Sequence, residues 1–237
     1  VVNKLIDFTD DSSMNRSNRR EFVLTAGKIG FGVLCCSGCR SAPITGRPQL
    51  MLVPEGQEIS LGQQAFQESL SDETLSQDTR LSNLVNRVGN RIASAAKRSD
   101  YHWEFRLIES ETQNAFCLPG GKVAVYQGIL PVCQDEAGLA VVMSHEIAHA
   151  LARHGGERMS QNVAVDGAKL LAEKLAGKYV PDKKSLLLTA YGVGSKYGVL
   201  LPYNRKQESE ADRIGLQLMA EAGYDPAAAT EFWSRFG

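Results

Sequence analysis

The strongest constraint in this sequence is the stretch 135–154, where Val, Leu, Ile, Met and Ala outnumber the polar side chains. A helix that is apolar around most of its circumference has to be covered on all sides, so this one belongs in the middle of a domain. Inside it, His145-Glu146-Ile147-Ala148-His149 reads H-E-x-x-H. Residues four apart return to nearly the same helix face, about 6 Å further along. Two imidazoles so placed can grip one zinc ion, and Glu146 between them can reach a water held there. The chain has only four histidines, His102, His145, His149 and His154. Two of the four at ligand spacing around a glutamate make coincidence unattractive.

The composition fits one compact domain with an appendage. The chain has 237 residues, 43% of them hydrophobic and 22% charged, enough to bury a core without a disulfide scaffold. Lys plus Arg is 26 and Asp plus Glu is 27, so no basic excess recommends nucleic acid as a partner. No apolar run reaches the ~18 residues of a membrane-spanning helix.

The first 38 residues read as an export signal rather than fold. Arg19-Arg20-Glu21-Phe22-Val23 precedes a short Gly-rich apolar run, as in a twin-arginine signal. Ser37-Gly38-Cys39 resembles a lipoprotein cleavage box, with Cys39 the lipidated residue. Met14 is an alternative start. Residues 39–54, with Pro43, Pro48 and Pro54, read as a linker, and 55–237 as the domain.

Within the domain, a helical region begins near Ile59. A second helix carries Leu81, Leu84, Val85, Val88, Ile92 and Ala95 on one face, with Asp78 as its cap. Trp103, Phe105 and Leu107 alternate with Glu104, Arg106 and Ile108, the pattern of a strand. Pro119-Gly120-Gly121 turns the chain into a second strand over 122–126. Residues 135–154 form the central helix, 170–175 a further helical piece, and 208–222 an amphipathic helix ended by Gly223. The fold class is α+β: mostly helices, with a small sheet placed before the central helix.

A third zinc ligand sets the subclass. Ala152 and Gly155 stand where a metzincin needs Gly and His, and Lys169 stands where a thermolysin-like site needs Glu. Glu208 and Asp212 share a helix face, but carboxylates also favour helix N-termini for electrostatic reasons alone. Spacing leaves the two readings of this acidic segment level.

The stretch 145–154 (HEIAHALARH), together with 208–215 (ESEADRIG), resembles a zinc metallopeptidase family. That family contains the CAAX prenyl endopeptidase, the HtpX heat-shock protease and the BepA-type periplasmic quality-control proteases. Residues 114–121 (NAFCLPGG) resemble another of its segments, and 45–50 (TGRPQL) resemble the start of its lipoprotein branch. The resemblance implies a zincin-like domain holding one zinc ion per chain through His145, His149 and Glu208. It implies that Glu146 is the catalytic base and Asp212 a carboxylate orienting a ligand imidazole. Asn114 and the strand after Gly121 would offer backbone to an extended substrate, although Asn114 also suits a turn. The implied function is a metalloendopeptidase acting on polypeptides of the cell envelope or periplasm, in protein quality control, held to the membrane by lipid. The relatives usually continue beyond the position of Gly237; Tyr203 and Arg205 are candidates to replace a donor from such a tail, with surface packing the more ordinary role of each.

Lesser expectations complete the reading. His154 is a helix C-terminal histidine, and His102 a strand residue without catalytic part. Cys117 and Cys133 either pair or stay as buried thiols. The rival to an enzyme is a zinc-binding envelope lipoprotein with a chaperone or assembly role, to which Glu146 would be useless as a base.

Overall fold

The computed structural model describes residues 39–162 and 205–236. The export signal, the helical piece at 170–175 and Tyr203 lie outside them. The segment expected to be a linker is built into the domain. Strand β1 (Cys39–Ser41) pairs with β2 (Pro48–Leu50), and Ala42, Gln49 and Met51 are buried. Of the prolines that suggested free extended chain, Pro43 lies in the turn of a short hairpin, Pro48 opens β2 and Pro54 precedes the first helix.

Helix α1 spans Glu55–Ser71, starting four residues earlier than expected, with Glu55 and Glu58 in its first turn. Helix α2 spans Thr79–Ala96; the Asp78 carboxylate accepts from Leu81 N–H, and Val85, Val88 and Ile92 are buried. Gly89 lets α2 lie against the sheet, since a Cβ there would stand 2.4 Å from the Phe105 ring.

The sheet consists of β3 (Glu104–Ile108), β4 (Ala115–Leu118) and β5 (Lys122–Tyr126), in the order β3-β5-β4. Strand β5 runs parallel to β3 and antiparallel to β4. Gly120 and Gly121, at φ +86° and +81°, form the turn between β4 and β5. The strand after Gly121 is therefore the central one and both its edges are taken. It cannot offer backbone to a substrate; the edge strands are β3, where Ile108 bridges to Leu75, and β4, to which no second strand pairs among the described residues.

A short helical turn, α3 (Leu130–Cys133), leads into the central helix α4 (Glu136–Leu151). Asp135 caps α4 by accepting from Gly138 N–H, and every residue from Gly138 to Leu151 is buried. The chain leaves this helix earlier than the sequence suggests. Arg153 adopts φ +58°, and helix resumes over 154–162. The Arg153 side chain turns inward, donating to Glu58 Oε2 at 2.7 Å and to the Val53 carbonyl at 3.0 Å. His154 thus opens the following helical segment instead of closing α4.

Helices α5 (Arg205–Glu221) and α6 (Ala228–Phe236) complete the described fold. Gly215 lets α5 approach α4 closely, since a Cβ there would stand 3.2 Å from the backbone nitrogen of His145. Cys117 and Cys133 are buried free thiols. No helix among the described residues is long and apolar enough to cross a membrane.

Candidate metal centre

Helix α4 brings the two histidines of its motif to one face, and α5 packs against that face. Nε2 of His145 lies 3.0 Å from Nε2 of His149, and the two stand 3.5 and 3.9 Å from the Glu208 carboxylate oxygens. One donor atom from each residue falls within a 4.8 Å cluster. Zinc–ligand bonds of 2.0–2.1 Å in tetrahedral array put donors about 3.3 Å apart. The three donors therefore fit zinc in type, number and spacing. Three protein donors also leave one tetrahedral position open, as in catalytic rather than structural zinc sites.

The surroundings orient both rings. Asp212 Oδ1 sits 3.0 Å from Nδ1 of His145. Nδ1 of His149 faces Nδ1 of His154 at 2.9 Å, and Nε2 of His154 lies 3.0 Å from Glu210 Oε2. Glu210 is two residues, about 200° of helix, from Glu208, and accordingly it points into the protein while Glu208 faces the histidines. The histidines and Glu146 are buried, whereas Glu208 and Asp212 keep about half their side chains in solvent.

Burial dominates the titration behaviour. It lifts the Glu146 carboxyl to about 7, against the lowering effect of His145. It lowers His149, with His145 and His154 adding to the effect. At His145 burial also pulls down, but hydrogen bonds to Asp212 and Glu208 carry the ring up to about 10. A divalent cation among these groups adds positive charge and lowers all three.

The remaining expected residues lie apart from one another. Asn114 precedes β4 and lines a small cleft with His145, Glu146, Phe232 and Trp233. Its Oδ1 is buried without a hydrogen-bond partner among the described residues. Gly121 sits at the far end of the β4–β5 hairpin, where a Cβ would strike Trp103 and where its carbonyl accepts from Glu104 N–H. Its place is in the turn, at the end of the hairpin opposite Asn114. Arg205 is exposed at the start of α5, and His102 is exposed ahead of β3.

Three participants escaped the sequence reading. Trp233 on α6 lays its ring edge-on to His145, centroids 5.5 Å apart. His154 and Arg47 belong to the buried network behind His149. A signal existed for Arg47 in the TGRPQL stretch, but nothing in the spacing linked it to the histidines.

Residues 80–237 match Peptidase family M48. The chain is 38% identical over 223 residues to the mitochondrial metalloendopeptidase OMA1 of Schizosaccharomyces pombe, covering 93% of this chain and 64% of that protein. It is 30% identical over 232 residues to the mitochondrial metalloendopeptidase OMA1 of Homo sapiens, covering 93% of this chain and 44% of that protein. It is 30% identical over 180 residues to the β-barrel assembly-enhancing protease of Escherichia coli O157:H7, covering 75% of this chain and 37% of that protein. The chain thus spans less than two thirds of the length of each of these relatives. Because the matched region takes in both α4 and α5, which supply the donor cluster, the chain belongs to peptidase family M48.

Proposed function

We propose that this chain is the catalytic domain of a zinc-dependent metalloendopeptidase that cleaves exported or envelope polypeptides. The observation that carries the reading is the buried carboxylate of Glu146, set between two histidines that share a donor cluster with Glu208. A zinc-binding lipoprotein without turnover has no use for that group.

His145, His149 and Glu208 hold the ion. Bound zinc supplies a Lewis acid that polarises a peptide carbonyl and makes water acidic enough to attack near neutrality. Glu146 accepts the proton of the attacking water at its carboxylate and returns it to the leaving amine nitrogen. The outer edge of β4, to which no strand pairs among the described residues, receives the substrate backbone as an added strand, and Asn114 donates or accepts at its end. Trp233 and Phe232 keep that cleft apolar and exclude bulk water.

Arg19-Arg20 and Cys39 support export and a lipid anchor in a bacterial envelope, with a role in protein quality control. A second reading of location, mitochondrial, is favoured by the 38% identity to the fission-yeast relative. Casein digestion by the 237-residue chain, compared with Glu146→Gln and with a chelator control, tests the activity. Membrane fractionation and the mass of the N-terminal peptide, with Cys39→Ser beside the wild type, test the anchor. Cleavage equal in wild type and Glu146→Gln would defeat the enzymatic reading.

A further inference from the structure

The two ligand histidines are supported differently. His145 is served by Asp212, a carboxylate half in solvent. His149 is served by a chain of groups that is half-buried where it begins, 102 residues before it in the N-terminal hairpin segment, and buried at Glu210 and His154. Arg47 donates through Nε to Glu210 Oε2 at 2.6 Å, and the Thr45 hydroxyl donates to Glu210 Oε1. The two terminal nitrogens of Arg47 grip Glu157 in a fork at 2.9 and 2.6 Å. Glu210 meets His154, and His154 meets His149. His154 is wholly buried, and His149 and Glu210 are 2% and 8% exposed.

The chemistry of these groups fixes the direction of each bond. An ionised carboxylate only accepts hydrogen bonds. His154 therefore presents Nε2–H to Glu210, which leaves the lone pair of its Nδ1 to accept. His149 in turn presents Nδ1–H to that lone pair, and its own lone pair is left on Nε2. That is the atom facing His145 and Glu208. A ligand imidazole needs this tautomer, and the bond at its other nitrogen sets it.

We infer that His154 and Glu210, anchored by Arg47 and Thr45, position His149 for metal binding, so that the segment 45–47 is a working part of the metal centre. The inference rests on the zinc reading above. It makes His154 and Glu210 positioning residues, acting through His149 rather than on substrate. It also gives the TGRPQL stretch a physical role, because Arg47 ties the hairpin to α5 through Glu210 and to the 154–162 segment through Glu157.

The test uses the whole 237-residue chain, with zinc affinity measured by competition against a chromophoric chelator and thermal unfolding measured on the metal-free form. His154→Leu removes the acceptor and should weaken zinc binding by about 10–100-fold. His154→Asn, whose Oδ1 falls near the Nδ1 position, should restore part of the loss. Arg47→Met should weaken zinc by less, and should add almost nothing in the His154→Leu background. A role in packing alone would lower the unfolding temperature, leave zinc affinity within twofold of wild type and make Asn no better than Leu; that result overturns the inference. Should His154→Leu fail to fold, nitrogen-15 NMR of the zinc-loaded wild type decides. His154 protonated at Nε2 and bare at Nδ1 is expected, and the opposite tautomer overturns the inference. A wild-type chain that binds no zinc would overturn the zinc reading as well, whereas unchanged affinity in His154→Leu overturns this inference alone.

Discussion

Asp212 Oδ1 stands 3.0 Å from Nδ1 of His145, while Glu208, one turn earlier on the same helix, approaches Nε2 of that ring at 3.5 Å. One helix thus supplies both a donor to the metal cluster and the acceptor that turns the neighbouring imidazole toward it. Asp212→Asn keeps an oxygen in place but removes its charge. Zinc affinity should fall by about 10–100-fold. Because the hydrogen bond to Asp212 helps hold the buried His145 ring up at about 10, metal-free stability at pH 7 should fall as well. Chelator competition and urea unfolding check the two halves, and unchanged affinity would remove Asp212 from the centre.

Glu208 and Glu146 should separate binding from turnover. Glu208→Gln puts a neutral amide where the cluster needs an anionic donor, so zinc and activity should be lost together. Glu146→Gln removes the base but no ligand. It should retain one zinc per chain while peptide hydrolysis falls by about 100-fold or more. Elemental analysis beside a casein assay reads both, and a zinc-free Glu146→Gln would mean that the roles are assigned wrongly.

The legible parts of this molecule were those written in local periodicity. His145 and His149 lie on one helix, so spacing alone joined them, and Asp78, Gly121 and Gly223 marked their turns and caps for local steric reasons. Glu208 needed the family resemblance, because a carboxylate near a helix start has an ordinary electrostatic explanation. What stayed hidden depends on long-range contacts. His154 looked like the end of α4 because no local rule announces a non-glycine residue at φ +58°; Arg153 holds that conformation through its tertiary bonds to Glu58 and Val53. Strand order was equally invisible: alternation identified β3 and the Pro119-Gly120-Gly121 turn announced β5, but only pairing made β5 central and left β4 as an edge. The prolines of 39–54 are compatible with a linker and with a hairpin, and buried Gln49 together with the ion pairs of half-buried Arg47 decide for the latter.

Gly215 should control how closely α5 approaches the histidines. A Cβ at this position meets backbone atoms of Ser144 and His145 at 3.2–3.4 Å, and backbone cannot swing aside as a side chain can. Gly215→Val should push α5 outward, carrying Glu208 away from the imidazoles. Overpacking of this kind costs about 1–3 kcal/mol, and zinc affinity should fall with it. Chelator competition on the folded variant is the decisive measurement; a variant that is destabilised but binds zinc normally would show that α5 can shift without moving Glu208.

Arg153 and Glu58 form a buried pair, Nε to Oε2 at 2.7 Å, with side chains 6% and 1% exposed. The second Glu58 oxygen is buried without a hydrogen-bond partner among the described residues. Burial lifts the Glu58 carboxyl from its ordinary 4.5 to about 7, with Arg153 opposing the rise. Glu58 therefore binds its proton more tightly folded than unfolded, and its contribution to stability declines as pH rises through that window. Arg153→Met removes the opposing charge and should lift the carboxyl further. At pH 8, where a buried carboxylate would be left uncompensated, the loss should be about 3–5 kcal/mol. The loss should shrink toward pH 5.5, where Glu58 enters the folded state as the neutral acid. Pairing Arg153→Met with Glu58→Leu should recover most of the stability, since removing both charges leaves none to strand. Urea unfolding of the metal-free protein at the two pH values measures this. An Arg153→Met loss equal at both would show that Glu58 is not the group left in need of a counter-charge.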